Sequence, residues 1–296
     1  MILHFSNLID HYDAFLLDAY GVFWGSNQIG MLPGAKEAME YLVSHEKKVG
    51  ILSNSTQLAS KEKEKLAKHG VLEGVHYHFL LTSGEVARGL LTAGKLPFSI
   101  PRKTYWLFGS DHPRFSSHSI LFEDTGYQQT MDIEEADFIY IAIPHLDGID
   151  QENPDVFVKR VKEAALQLIP VLCTNPDRFA HEGLPPRLVV RQGMIAQMFE
   201  AQGAAVYFIG KPFPAVYEQA LDQFGSIQPR RILMIGDTPE TDIRGAHQLG
   251  FATALVTKTG IMSERMKHKN ASSMIHQLPE TDRPDFAIGS FELHSS

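Results

Sequence analysis

Short apolar runs rich in Val, Ile, Leu and Phe recur along the chain, and polar or helix-patterned stretches separate them. The clearest are AFLL (14–17), VGIL (49–52), YWLF (105–108), FIYIAI (138–143), VLCT (171–174), VYFI (206–209), ILMI (232–235) and TALVT (253–257). Runs of this length and composition read as strands buried on both faces, and their alternation with helical patterns predicts parallel strands joined by crossover helices. Between the first two runs, Ala35, Ala38, Met39, Leu42 and Val43 fall on one face of an amphipathic helix, with Pro33 before it and Lys47 and Lys48 after it. After the second run, ASKEKEKLAKHG predicts a helix charged on most faces and ending at Gly70, its charge run a solvated face.

One internal echo stands out: ILSNS (51–55) and VLCTNPD (171–177) both place Ser/Thr-Asn at the end of an apolar strand. The pairing suggests two similar α/β units, one inserted in the other. The plainer alternative is that such residues cap the next helix.

Composition narrows the class without changing the fold. At 296 residues and 44% hydrophobic content, the chain can fill one large core or two modest ones, and two domains are expected. A formal charge of -8 gives no basic face for a phosphate polymer, so no nucleic-acid role is expected. One cysteine, Cys173, cannot form an internal disulfide, and its setting predicts a thiol buried in a strand rather than a nucleophile. No window is apolar over the length a bilayer requires, and the first residues, MILHFSNLIDHYDAF, lack a basic segment followed by a long apolar one. The expectation is a soluble cytoplasmic protein.

Ligands of open parallel sheets bind outside the carboxyl ends of the strands. Asp18 follows AFLL, Ser53 follows VGIL, Lys211 follows VYFIG and Asp237 follows ILMIG, with Asp242 five residues further on in the first turn of a helix. Each residue alone could be a helix cap or a surface group. Together, two carboxylates converging on one sheet edge repel unless a cation lies between them, and a hard divalent ion such as Mg²⁺ suits oxygen ligands. A lysine and a hydroxyl facing the same point would hold phosphate oxygens, helped by backbone N–H groups after Asp18. The set proposes metal-assisted phosphoryl transfer with one carboxylate free to attack.

LLDAYGV, ILSNS, GKP and IGDTPETD, in that order, resemble the four motifs of the haloacid dehalogenase superfamily of hydrolases. About 150 residues separate the second motif from the third, and this interval with TNPD and FIGKPFPAVYEQAL resembles the branch with a large α/β cap. That branch includes 4-nitrophenyl phosphatase-like, sugar-phosphate and pyridoxal-phosphate phosphatases, and the resemblance runs to RPDFAIGSFELH near the end of the chain. It implies a Rossmann-like, doubly wound parallel-sheet core (1–82 and 206–296) with an inserted α/β cap (83–205) that selects the substrate. It makes Asp18 the nucleophile, and Ser53, Lys211, Gly21 and Asn54 the phosphate site. Asp18, Asp237 and the Tyr20 carbonyl would bind Mg²⁺, with Asp242 behind them orienting the metal waters. The substrate would be a small phosphorylated metabolite, and a homodimer through the cap is left open.

The departure from the family is Tyr20. The superfamily's phosphatases usually carry there a second aspartate that protonates the leaving alcohol and then activates water, a function worth about 10²–10⁴-fold in rate. Three readings compete: a phosphatase, slow or narrow, whose substrate has a good leaving group or whose acid comes from elsewhere; a 2-haloacid dehalogenase; and a non-catalytic protein that binds a phosphometabolite or a regulatory partner. Some of the superfamily's dehalogenases carry DAYG, but they work without metal and lack the two-aspartate fourth motif that this chain keeps. In the cap, Asn175, Asp177 and Arg191, with Arg178 and Arg187, precede an expected helix and are candidates for substrate contact, as are His145 and Asp147 after a buried strand. Surface solvation for the arginines and a simple turn at 145–147 are the plainer alternatives.

Overall fold

The computed structural model describes residues 2–25, 29–183, 185, 187–266 and 271–293. Its strands are β1 (Ile2–Leu3), β2 (Ala14–Leu17), β3 (Lys48–Ser53), β4 (Phe79–Thr82), β5 (Thr104–Phe108), β6 (Gln128–Thr130), β7 (Phe138–Ile141), β8 (Val171–Cys173), β9 (Phe179–Glu182), β10 (Arg187–Val190), β11 (Val206–Phe208), β12 (Ile232–Gly236), β13 (Ala252–Val256) and β14 (Phe286–Ile288). The helices are α1 (Ala35–Ser44), α2 (Ala59–Lys68), α3 (Ser83–Thr92), α4 (Val158–Ala165), α5 (Gln192–Ala201), α6 (Pro214–Phe224), α7 (Arg244–Gln248), α8 (Gly260–Arg265) and α9 (Ala271–Gln277).

The chain divides into two units. The first comprises Met1–Ser53, Ala59–Leu81 and Lys211–Ser296; the second comprises Asn54–Leu58 and Thr82–Gly210. The first unit carries a seven-stranded sheet in the order β1-β14-β13-β12-β2-β3-β4. Its pairings β1–β14, β14–β13, β13–β12, β12–β2 and β2–β3 are all parallel. The central strands are buried throughout, as the unbroken apolar runs require: Ala14, Phe15, Leu16 and Leu17 are inaccessible to solvent. α1 turns Ala35, Ala38, Met39 and Leu42 into this core.

The second unit holds a five-stranded sheet, β11-β8-β7-β5-β6, parallel in every pairing, and an antiparallel β9–β10 hairpin. Its core includes Phe108, Ile139, Ile141, Val171, Cys173, Ile195 and Phe199. Cys173 is buried and burial pushes its thiol up to about 12, as expected of a structural cysteine.

Two expectations are corrected here. VYFI was expected to be a core strand buried on both faces, yet β11 pairs with β8 at the edge of the five-stranded sheet and its residues are only half-buried. Residues 206–210 therefore lie in the second unit, and Asn54–Leu58 join it as well. An apolar run carries no label of the sheet it will pair with; hydrogen bonding to β8 decides that. Among the described residues, no helix is long and apolar enough to cross a membrane.

Candidate active site

In the first unit, the parallel register places Leu17 of β2 beside Ile235 of β12 and Ile51 of β3, so the residues that follow emerge at one sheet edge. Asp18 comes first, its N–H donating to the Ile235 carbonyl at 2.9 Å. Asp237 stands after β12 and Ser53 closes β3, and all three residues are buried. Lys211 does not follow a strand of this sheet as expected. It is the first residue of the chain's return from the second unit, and its ammonium nevertheless donates to Asp18 Oδ1 at 2.5 Å and to Asp242 Oδ1 at 2.7 Å.

Asp242 sits in the wide helical turn Pro239–Ile243 before α7. Its Oδ2 accepts from the N–H groups of Asp237 (3.1 Å) and Thr238 (3.0 Å), so it fixes the loop that carries Asp237 and orients the lysine at once. Asp237 Oδ1 accepts from the Thr238 hydroxyl at 2.9 Å and Oδ2 from the Ile261 N–H at 2.6 Å, at the start of α8. Space around it is tight. A Cβ added at Gly260 would lie 1.9 Å from Asp237 Oδ2 and one at Gly21 2.3 Å away, and both glycines have positive φ (+66° and +83°).

Gly21 is thus required for close approach rather than for phosphate contact. Its N–H, expected to face phosphate, donates to the Trp24 carbonyl at 2.7 Å, and its own carbonyl accepts from the Thr259 hydroxyl at 2.5 Å.

Oxygens of Asp18, Asp237 and Asp242 lie within 4.8 Å of one another, all three residues buried. Burial drives the Asp18 carboxyl well above the usual carboxylate range; Lys211 opposes this and Asp242 and Asp237 reinforce it. Burial, and then the Asp242 charge, push Asp237 up to about 7. Three carboxylates facing one ammonium form a site with an unmet demand for positive charge, which a hard divalent cation on oxygen ligands would satisfy.

The Tyr20 side chain is exposed. Its hydroxyl accepts from the Lys65 ammonium of α2 at 2.8 Å, and Lys65 also reaches Glu62 at 3.3 Å. Burial works against the charge on Lys65, but Tyr20 and Glu62 outweigh it and raise its pKa. Sequence reasoning did not single out Lys65, Thr238, Thr259 or Gly260. The T-G dipeptide after the apolar run 253–257 was a strand-end signal of the kind used for the other strands.

The candidates of the second unit are joined to one another. Asn54 Nδ2 donates to Asp177 Oδ1 at 2.9 Å, Asn175 Oδ1 accepts from the Asp177 N–H at 2.9 Å, and Asn175 Nδ2 reaches Gln192 Oε1 at 3.3 Å. The asparagines of the two echoed pairs are therefore joined through Asp177 inside this unit. Arg191, expected to reach an anionic substrate, is buried and donates to Asp150 Oδ1 at 2.9 Å and Glu182 Oε1 at 2.8 Å. A guanidinium so engaged ties the β9–β10 hairpin to the 146–150 loop. Arg187 pairs at the surface with Glu152 at 3.1 Å, and Arg178 is exposed. His145 accepts from the Gly148 N–H at 2.9 Å and Asp147 has φ +50°, so 145–148 is a turn.

A parallel sheet, an inserted α/β unit and a buried cluster of three aspartates and a lysine at the strand ends make up the fold and its candidate site, those of a hydrolase. The model described as haloacid dehalogenase-like hydrolase matches residues 15–118, and a second, described as HAD-hydrolase-like, matches residues 208–285. The chain belongs to the haloacid dehalogenase superfamily, in the branch with a large α/β insertion. It is 34% identical over 94 residues to the dihydroxyacetone phosphatase of Corynebacterium glutamicum (strain R), a match spanning 31% of this chain and about a third (33%) of that one. It is 27% identical over 254 residues to chronophin of Bos taurus, covering 84% of this chain and 81% of chronophin. The structure of 4-nitrophenylphosphatase from Thermotoga maritima superposes with a TM-score of 0.66 at 25% identity, covering 96% of each chain.

Proposed function

We propose that the chain is a Mg²⁺-dependent phosphatase of small phosphorylated metabolites, with sugar and triose phosphates and aryl phosphates as the first substrates to try. The observation that carries this reading is the buried Asp18 bonded at 2.5 Å to Lys211, beside Asp237 and Asp242. An Asp18 oxygen would attack phosphorus, the bond to the leaving oxygen would break with its electron pair, and water would later hydrolyse the aspartyl-phosphate. Lys211 and Ser53 would hold the transferring oxygens, the lysine already lying against the nucleophile. Asp18, Asp237 and the Tyr20 carbonyl would hold Mg²⁺, whose charge would offset that of the phosphoryl group. Asp242 would keep Asp237 and Lys211 in place.

Tyr20, in the place of the usual acid, supports slow or narrow turnover. It equally favours a second reading, a protein that binds a phosphometabolite without turning it over. The dehalogenase reading gains from Tyr20 but gives the buried pair Asp237 and Asp242 no task on an apolar carbon–halogen bond.

Release of 4-nitrophenol from 4-nitrophenyl phosphate with Mg²⁺ tests the enzyme reading: turnover lost in Asp18→Asn and on chelation supports it, and turnover equal to that of Asp18→Asn refutes it. Halide release from 2-chloropropionate, unaffected by chelator, would mark the dehalogenase. Bound Mg²⁺ and phosphate with no turnover of a metabolite panel would mark the binding protein.

A further inference from the structure

The position two after Asp18 is not merely emptied of its acid; its hydroxyl is held elsewhere. A phenol oxygen stands a ring's width farther from the backbone than an aspartate carboxylate, so it cannot occupy the place the shorter acid would take. Here that oxygen is held 2.8 Å from Lys65 Nζ on α2, and the same Nζ lies 4.8 Å from the centroid of the buried Trp24 ring and 3.3 Å from Glu62. Trp24 belongs to the same loop: its carbonyl accepts from Gly21 N–H at 2.7 Å and its N–H donates to the Ala19 carbonyl at 2.9 Å. Lys65 is thereby bonded to the loop's tyrosine and packed on both its aromatic rings, through one hydrogen bond and two cation–π contacts, the Tyr20 centroid lying 4.9 Å away.

Building on the phosphatase reading, we propose that Lys65 is a positioning residue acting through Tyr20. It holds the tyrosine oxygen against α2, a ring's width from where the shorter acid would stand, and keeps the loop after Asp18 in place, so the chain selects phosphates whose leaving group departs as a stabilised anion, acyl and aryl phosphates above alkyl phosphates. A positioned acid contributes about 10²–10⁴-fold and is needed most where the leaving oxygen is a strong base. Discrimination between leaving groups is then set by the residue two after Asp18, and Lys65 sets how firmly the loop that carries it is held.

The test is a series of substrates with Mg²⁺: acetyl phosphate, 4-nitrophenyl phosphate, phenyl phosphate and glycerol phosphate, on the full chain. Wild type is expected to turn over the first two at least about 100-fold faster than glycerol phosphate, and Tyr20→Asp to narrow that gap by about tenfold or more. Tyr20→Phe and Lys65→Met remove the same bond. Each is expected to lower kcat by about threefold to tenfold on every substrate, with KM little changed. Their double variant should match either single within about twofold, and Lys65→Arg should restore kcat because it can donate to the same hydroxyl.

A selective loss of glycerol phosphate turnover in Tyr20→Phe would make the hydroxyl the acid and overturn the proposal. Additive losses in the double variant, or a wild type indifferent to the leaving group, would overturn it as well. A chain that turns over none of the four refutes the phosphatase reading itself, which sets that failure apart from the others.

Discussion

Lys211 is the only cation bonded to the three-carboxylate cluster among the interactions described, and its removal by Lys211→Met gives the sharpest test of how the cluster is balanced. Its ammonium is bonded to Asp18 at 2.5 Å and to Asp242 at 2.7 Å, all three groups buried. Removing one partner of a buried pair typically costs about 3–5 kcal/mol, because the other charge is left without compensation. Part of that cost can be evaded by protonation. Asp237 sits at about 7 even with the lysine present, and taking up a proton one unit above a pKa costs about 1.4 kcal/mol.

The sign follows from linkage. Asp18 and Asp237 both have folded-state pKa values raised above the ordinary carboxylate value. The folded state thus binds more protons, and these groups favour it most at low pH. Their contribution is lost as pH rises through the folded values. The variant should lose about 3 kcal/mol at pH 8 and about 1 kcal/mol near pH 5.5, read as the shift of the first unit's thermal transition. Added Mg²⁺ should recover more midpoint in Lys211→Met than in wild type, since the uncompensated charge is larger. A loss that does not depend on pH, or one below about 0.5 kcal/mol at pH 8, would refute the view that Lys211 balances these acids.

Three further outcomes can be checked. Gly260→Ala puts a Cβ 1.9 Å from Asp237 Oδ2 at a backbone of φ +66°, so it should weaken Mg²⁺ binding by calorimetry by at least about tenfold and lower the midpoint. Arg191→Met leaves Asp150 and Glu182 buried without their shared guanidinium; it should destabilise the second unit by about 3 kcal/mol, where a pure substrate contact would change KM and leave melting alone. Burial, then His145, Arg114 and Arg191, pull His112 down to about 4, so it folds neutral. His112 should therefore subtract stability as pH falls from about 6.5 towards 4, against the gain that Asp18 and Asp237 contribute, and a melting series should show His112→Gln more stable relative to wild type at about pH 4.5 than at about pH 7.

The eight apolar runs each became a strand because a run without polar interruption has no face to offer water, a property local to the sequence. The carboxylates at the ends of AFLL and ILMIG were legible for the same reason: a charge directly after a buried strand must emerge at its edge. Short or polar strands were not legible. β6 is Gln-Gln-Thr, and the β9–β10 hairpin reads as a loop because Glu182 and Arg187, paired across it in register, look like surface charges. The burial of Arg191 is not legible for the same reason, since it depends on carboxylates nine and forty-one residues away.

The sequence by itself determined the alternation of parallel strands and helices, the amphipathic face of α1, and the identity of the acids at the sheet edge, because periodicity and strand-end position are set by neighbours along the chain. Tertiary structure alone decided which sheet β11 joins, that Lys211 meets Asp18 from across the chain, that Gly21 and Gly260 give way to Asp237, and that Lys65 takes the Tyr20 hydroxyl. Each of these depends on groups brought together by burial and hydrogen bonding over long sequence separations, where no local pattern carries the information.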